Sequence, residues 1–168
     1  TAKPVMYVCN VGEEDAATGN AYSEQVATRA TEEGAITVII SAAIEAEIAQ
    51  LTDLEERAEF LESIGLETTG LSQILAAGYQ LLGLITYLTA GPTESRAWTI
   101  TEGMKAPQAA AVIHTDFERG FICAEIIAFD DYISCKGEVG AKEAGKMRQE
   151  GRDYIVKDGD IILFRFNV

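Results

Sequence analysis

Gly140-Ala-Lys-Glu-Ala-Gly145-Lys146-Met147 comes close to a phosphate-cradling loop, whose pattern is GxxxxGK followed by Ser or Thr. It fails on chemistry. Met147 stands where a hydroxyl would hold magnesium, and Glu143 inside the loop would repel phosphate. No apolar strand feeds it either, because Ser134-Cys-Lys-Gly-Glu comes before it. No other candidate occurs, so the 168 residues carry no visible catalytic group for phosphoryl transfer.

Asn10-Val11-Gly12-Glu13 is more informative. It follows Pro4-Val-Met-Tyr-Val-Cys9, an apolar run that reads as a buried strand. Ligands of open α/β sheets bind at the carboxyl ends of such strands. Guanine-nucleotide switches place Asn-Lys-x-Asp there. An Asn amide both donates and accepts, and the Asp carboxylate accepts from guanine N1–H and its exocyclic amine. Here Glu13 is one methylene longer and Val11 replaces the Lys. Adenine has no N1–H and carries an N6 donor instead, so the pattern argues against strict guanine recognition. The next strand ends in Ser41-Ala42, matching the Ser-Ala loop whose backbone faces the base. Asn10, Glu13 and Ser41 are therefore the candidate base-binding residues.

Other chemistries find little support. His114 is the only histidine, and no GxSxG-like setting exists for a Ser–His triad. Asp116, Glu118, Asp130 and Asp131 lack the spacing of known metal motifs, so no metal site is expected in this chain. His114-Thr-Asp-Phe-Glu-Arg-Gly120 reads as a polar loop, with Thr115 or Asp116 capping a turn. Cys9, Cys123 and Cys135 form no CxxC pair, which favours packing roles in a reducing, cytoplasmic compartment.

The elements that must position these residues are legible. Asn20 can cap a helix through Glu33, and Ala35–Ile40 reads as a second buried strand. Strand, helix and strand in this order make a βαβ unit of a parallel sheet. Residues 43–82 are helical. Thr52 or Asp53 can cap the second segment, Gly65 can close it, and Thr69 precedes the third. The pattern changes at Gly83. Leu84–Thr89 and Arg96–Ile100 predict a hairpin around Gly91-Pro92. Ala106–Ile113 predicts a helix with Pro107 in its first turn, and Val139–Lys146 a second short one. Phe121–Phe129, Tyr154–Val156 and Ile161–Phe166 predict strands. The second part is thus a small α+β sheet with a helix on one face.

The net charge is −14 and uneven. Residues 1–93 hold 3 basic and 14 acidic residues, and residues 94–168 hold 10 and 13. The first part should repel nucleic acid. In the second, Lys136, Lys142, Lys146, Arg148 and Arg152 cluster either as a basic face or as a solvated mixed-charge surface. No apolar run reaches the roughly 18 residues of a membrane span, since Ile74–Tyr87 is broken by Gly78, Gln80 and Gly83. Thr1-Ala-Lys-Pro lacks a signal-peptide pattern and reads as a chain cut just before a strand.

Tyr87-Leu-Thr-Ala-Gly-Pro, Arg96-Ala-Trp-Thr-Ile, Ala106-Pro-Gln-Ala-Ala and Ile113-His-Thr-Asp-Phe-Glu-Arg-Gly-Phe-Ile are distinctive when taken as a set. So are Gly140-Ala-Lys-Glu-Ala-Gly-Lys-Met-Arg, Asp153-Tyr-Ile-Val-Lys-Asp-Gly-Asp and the terminal Phe164-Arg-Phe-Asn-Val. With Lys3-Pro-Val-Met-Tyr-Val-Cys-Asn and Ser41-Ala-Ala-Ile-Glu-Ala-Glu they span essentially the whole chain, which resembles the YchF/Obg-like ATPase family. The resemblance implies an α/β remnant of a P-loop NTPase (OBG-type G) domain with a helical segment at 1–82. It implies a ubiquitin-like β-grasp TGS domain, α+β, at 83–168. It also implies ATP preferred over GTP, marked by Asn10 and Glu13, with magnesium bound in the intact protein. The expected partners are ATP and the ribosome or ribosomal RNA, with no membrane and no DNA specificity. The family's phosphate loop, switch regions and magnesium ligands lie upstream of Thr1, so this chain alone is expected to bind no cofactor and to be inactive. The alternative is a non-catalytic TGS module that binds RNA, the ribosome or a protein.

Overall fold

The computed structural model describes residues 3–167. The expectations that fall on Thr1, Ala2 and Val168, at the cut-like start and in the terminal motif, lie outside the described residues. The chain divides into two compact units, Thr1–Leu82 and Gly83–Val168.

In the first unit, β1 (Met6–Asn10) pairs in parallel with β2 (Ile36–Ile40), so that Asn10 faces Ile40 in the register. Between them runs α1 (Ala21–Glu33). Asn20 caps it, its side chain accepting from the Tyr22 and Ser23 amides while the Ser23 hydroxyl accepts from the Asn20 amide. The last turn of α1 is acidic, opposing the negative end of the helix dipole. The Tyr7 hydroxyl donates to Glu33 at 2.6 Å and Arg29 pairs with Glu33 at 2.6 Å, offsetting this. The Tyr7 bond holds the Glu33 carboxyl below its usual range. Three helices follow: α2 (Ala42–Ile48), α3 (Leu54–Ser63) and α4 (Gly70–Leu82). Asp53 caps α3. Ala16, Ile44, Ile48 and Leu61 form a small core, closed by Phe60, Ile64 and Leu66.

The second unit is a five-stranded sheet in the order β4-β3-β7-β5-β6. Its elements are β3 (Leu84–Ala90), β4 (Ser95–Thr101), α5 (Ala106–Ile113), α6 (Thr115–Arg119), β5 (Phe121–Ala128), α7 (Phe129–Ser134), α8 (Glu138–Glu143), β6 (Arg148–Glu150) and β7 (Asp160–Phe166). Strands β3 and β7 are parallel at the centre, and the other pairs are antiparallel. Alternate residues of the strands face α5, giving a core of Tyr87, Ile100, Ala106, Ala109, Ala110, Phe121, Ala124, Ile126, Val156, Ile162 and Phe164. The run of alanines in α5 lets the helix lie close to the sheet.

Four expectations need correction here. His114–Gly120 is not a loop. It contains α6, and its cap is His114, whose Nδ1 accepts from the Asp116 amide. Tyr154–Val156 is not a sheet strand: Ala106 N–H donates to the Tyr154 carbonyl and Val156 N–H to the Met104 carbonyl, leaving one bridge, Lys105 to Ile155. Phe129 starts α7 rather than ending β5. The helix expected at Val139–Lys146 spans only Glu138–Glu143. Strand β6 lies inside the expected basic cluster, where no apolar alternation announces it.

Candidate functional site

The residues at the carboxyl ends of β1 and β2 come together as the βαβ register requires. Val11 N–H donates to the Ile40 carbonyl at 2.9 Å, extending the pairing by one residue. The Asn10 side chain then crosses to the next loop, and its Oδ1 accepts from Ala42 N–H at 2.9 Å. An N–H can only donate, so the oxygen of the amide must face Ala42. The Nδ2 donor is left at an exposed position with no partner among the described residues.

Glu13 lies on an exposed turn of 3-10 helix, Glu13–Asp15. The three acids of this turn have different employment. Asp15 accepts from the Asn20 side chain at 2.8 Å, which ties the turn to the cap of α1. Glu13 and Glu14 have no partner for their carboxylates among the described residues. Ala16, just beyond, is buried against Ile44, Ile48 and Leu61, so α2 and α3 support the turn from behind. The Ser41 hydroxyl is enclosed and unpartnered. Any contact from Ser41 to a ligand must therefore use its backbone. A cavity of about 340 Å³ lies between β1 and α1, lined by Tyr7, Val8, Asn10, Val11, Asn20 and Tyr22 among others. It includes Asn10 but not Glu13 or Ser41.

A family model named YchF-GTPase_C, described as a protein of unknown function, matches residues 84–167. Ribosome-binding ATPase YchF of Haemophilus ducreyi is 59% identical over 168 residues, which are 100% of this chain and 46% of that protein. Obg-like ATPase 1 of Rattus norvegicus is 44% identical over 99% of this chain and 42% of that protein. The solved YchF GTPase of Schizosaccharomyces pombe superposes with a TM-score of 0.85 at 37% identity, over 98% of this chain and 44% of that one. The chain belongs to the YchF/Obg-like ATPase family. It spans about half the length of the curated relatives it matches.

The five basic residues singled out in this YchF-family chain do not form one free face. Lys146 pairs with Asp131 at 3.2 Å. Arg148 lies 3.9 Å from Glu150 and reaches the Tyr154 hydroxyl. Arg152 donates to the Phe121 carbonyl at 2.9 Å and covers the Phe121 ring. Lys136 and Lys142 are exposed, with no ion pair among the described residues. The GAKEAGK stretch has local packing duties. Gly140 sits against the Cys135 carbonyl, and the lysine that would reach a phosphate is held by Asp131.

Sequence spacing marked Asn10 and Glu13. It marked Asn20 only as a helix cap, and it did not mark Asp15 or Glu45, which hold the surrounding loops. The only available signal was the polar character of Asp15 and Asn20 on either side of the Ala16–Gly19 turn.

Proposed function

We propose that this chain supplies the base-reading side of a nucleotide site in a longer, ribosome-associated P-loop NTPase that prefers ATP to GTP. Residues 1–82 then form the C-terminal part of its OBG-type nucleotide domain. Residues 83–168 form a TGS domain of the β-grasp class, a reading supported by the central parallel β3–β7 pair with α5 across one face. The observation that carries the base site is the Asn10 amide, held by Ala42 N–H so that Nδ2 is free. A free N–H at this place suits N7, an acceptor that both purines share. Discrimination therefore falls to Glu13, whose carboxylate suits the N6 donor of adenine.

Phosphates and magnesium need groups outside this chain. Among the described residues no group of three or more His, Cys, Asp or Glu could hold a metal. The expectation that the chain alone leaves ATP unhydrolysed rests on the missing phosphate-cradling loop, since Met147 and Glu143 disqualify the one near match. The test is made on the full-length protein. Glu13→Asp should reduce the ATP-over-GTP ratio of kcat/KM about tenfold, the worth of one good hydrogen bond, while Glu14→Asp leaves it unchanged. An unaltered ratio in Glu13→Asp would remove Glu13 from the base site.

The binding reading of the second unit is favoured by the two unpaired lysines. Only Lys136 and Lys142 of the five can release counterions without first breaking a contact. If the 168-residue chain binds purified ribosomes through RNA phosphate, log K against log salt should slope at about −2 or less steeply. A slope near −5 would mean that more cations than Lys136 and Lys142 meet phosphate, and would overturn the two-lysine contact.

A further inference from the structure

Helix α2 begins at the proposed base site. It has seven residues, too few to be stable alone. Its nominal cap, Ser41, makes no side-chain capping bond, and its first N–H, at Ala42, is taken by Asn10. The helix must therefore be held in place from elsewhere. One turn along, Glu45 reaches across 25 residues to the start of α4. Its Oε1 accepts from Gly70 N–H at 2.6 Å and its Oε2 from Leu71 N–H at 3.2 Å. Thr69 completes the cap of α4, its hydroxyl accepting from Ser72 N–H and its carbonyl from Gln73 N–H. The N–H groups of Gly70, Leu71 and Ser72, three of the four orphans of α4, are thereby satisfied, two of them by a carboxylate that belongs to α2.

The junction is also tight. A Cβ at Gly70 would stand 2.8 Å from Ile40 Cγ2 and 3.1 Å from Glu45 Oε1. Ile40 is the residue paired with Asn10 in the β1–β2 register. The start of α4 is thus packed directly on the end of β2 and on Glu45.

We propose that Glu45 is a positioning residue for the base site: its carboxylate anchors α2 to α4, and this keeps Ala42 N–H where it orients the Asn10 amide. The proposal rests on the reading of Asn10 as a base-binding residue. Without the anchor, α2 keeps only the packing of Ile44 and Ile48, and Asn10 can turn either amide atom toward the base. Glu45 touches no nucleotide in this scheme and acts before chemistry, through binding.

The experiment uses the full-length protein with Glu45→Ala and Glu45→Gln, read by local hydrogen exchange without nucleotide and by steady-state ATP and GTP hydrolysis. In Glu45→Ala the Ala42 amide should exchange about tenfold faster, together with Gly70 and Leu71. KM for ATP should rise about tenfold with kcat within about twofold of the parent. Glu45→Gln keeps an acceptor oxygen for Gly70 and should recover most of both. Unchanged Ala42 exchange in Glu45→Ala overturns the proposal. Faster Ala42 exchange with unchanged KM leaves the anchor standing and overturns the base-site reading instead. Equal damage in both variants, with exchange raised throughout residues 1–82, would show general unfolding and also overturn the proposal.

Discussion

Gly140→Ala should lower the melting temperature of the chain by roughly 8–20 °C, the equivalent of about 2–3 kcal/mol in a small domain. An added Cβ would collide with the Cys135 carbonyl oxygen and lie 3.1 Å from its carbon. That carbonyl cannot swing away cheaply. Cys135 N–H is bonded to Asp131, Gly137 N–H to Tyr132, and Ala141 N–H to Gly137. The α7–α8 hairpin would have to open, carrying Asp131 away from Lys146. Gly145→Ala is the control. Gly145 has φ 69° but open space around its Cβ position, so it costs only backbone strain, about 1–2 kcal/mol. Differential scanning calorimetry of the two variants should rank Gly140→Ala as clearly worse, and a melting point within about 2 °C of the parent would refute the close-packing account.

Tyr87→Ala should be as damaging or worse, about 3–5 kcal/mol, by analogy with other large buried aromatics. Tyr87 is fully buried on β3. Its ring meets Trp98 at 6.5 Å and Phe164 edge-on at 5.8 Å, and its hydroxyl donates to the Ala109 carbonyl of α5 at 2.9 Å. Helix and sheet are therefore joined through one side chain. Tyr87→Phe keeps the ring and should cost only about 1 kcal/mol. The phenol also makes stability depend on alkali. Burial raises the pKa of Tyr87 above the ordinary 10.0, and burial with the hydrogen bond to Asp160 raises that of Tyr154. A raised folded-state pKa means the stabilisation is whole below pH 10 and is lost as pH rises beyond it, because the unfolded chain ionises first. Denaturant titrations at pH 9 and pH 11 should show this loss, and it should be smaller in Tyr87→Phe. Equal losses in both would place the effect elsewhere.

Local signals carried much of the architecture. Asn20 announced the start of α1, because a side-chain acceptor at a helix N-terminus works through neighbours two and three residues away. Gly91-Pro92 between two β-rich runs announced the β3–β4 hairpin. The contiguous apolar runs at β1 and β2 announced a parallel pair, but the burial expected of β1 is not met: none of its residues is buried and Val8 is exposed. At two places where these signals failed, the deciding partner was distant in sequence. Tyr154–Val156 gave its backbone to Met104 and Ala106, and Arg148–Glu150 became a strand because β5 offered an edge at Ala124–Ile126.

The candidate site divides in the same way. The sequence by itself determined the residue types, with an Asn at a strand end, an acid three residues on and a Ser-Ala pair after the next strand, because strand-end position is a local property. Only the tertiary structure decided that the Asn10 amide is oriented by Ala42, that the Ser41 hydroxyl is shut away, and that Lys146, Arg148 and Arg152 are already engaged. Each of these is a contact whose geometry is set by packing between elements, and a one-dimensional spacing rule contains no such information.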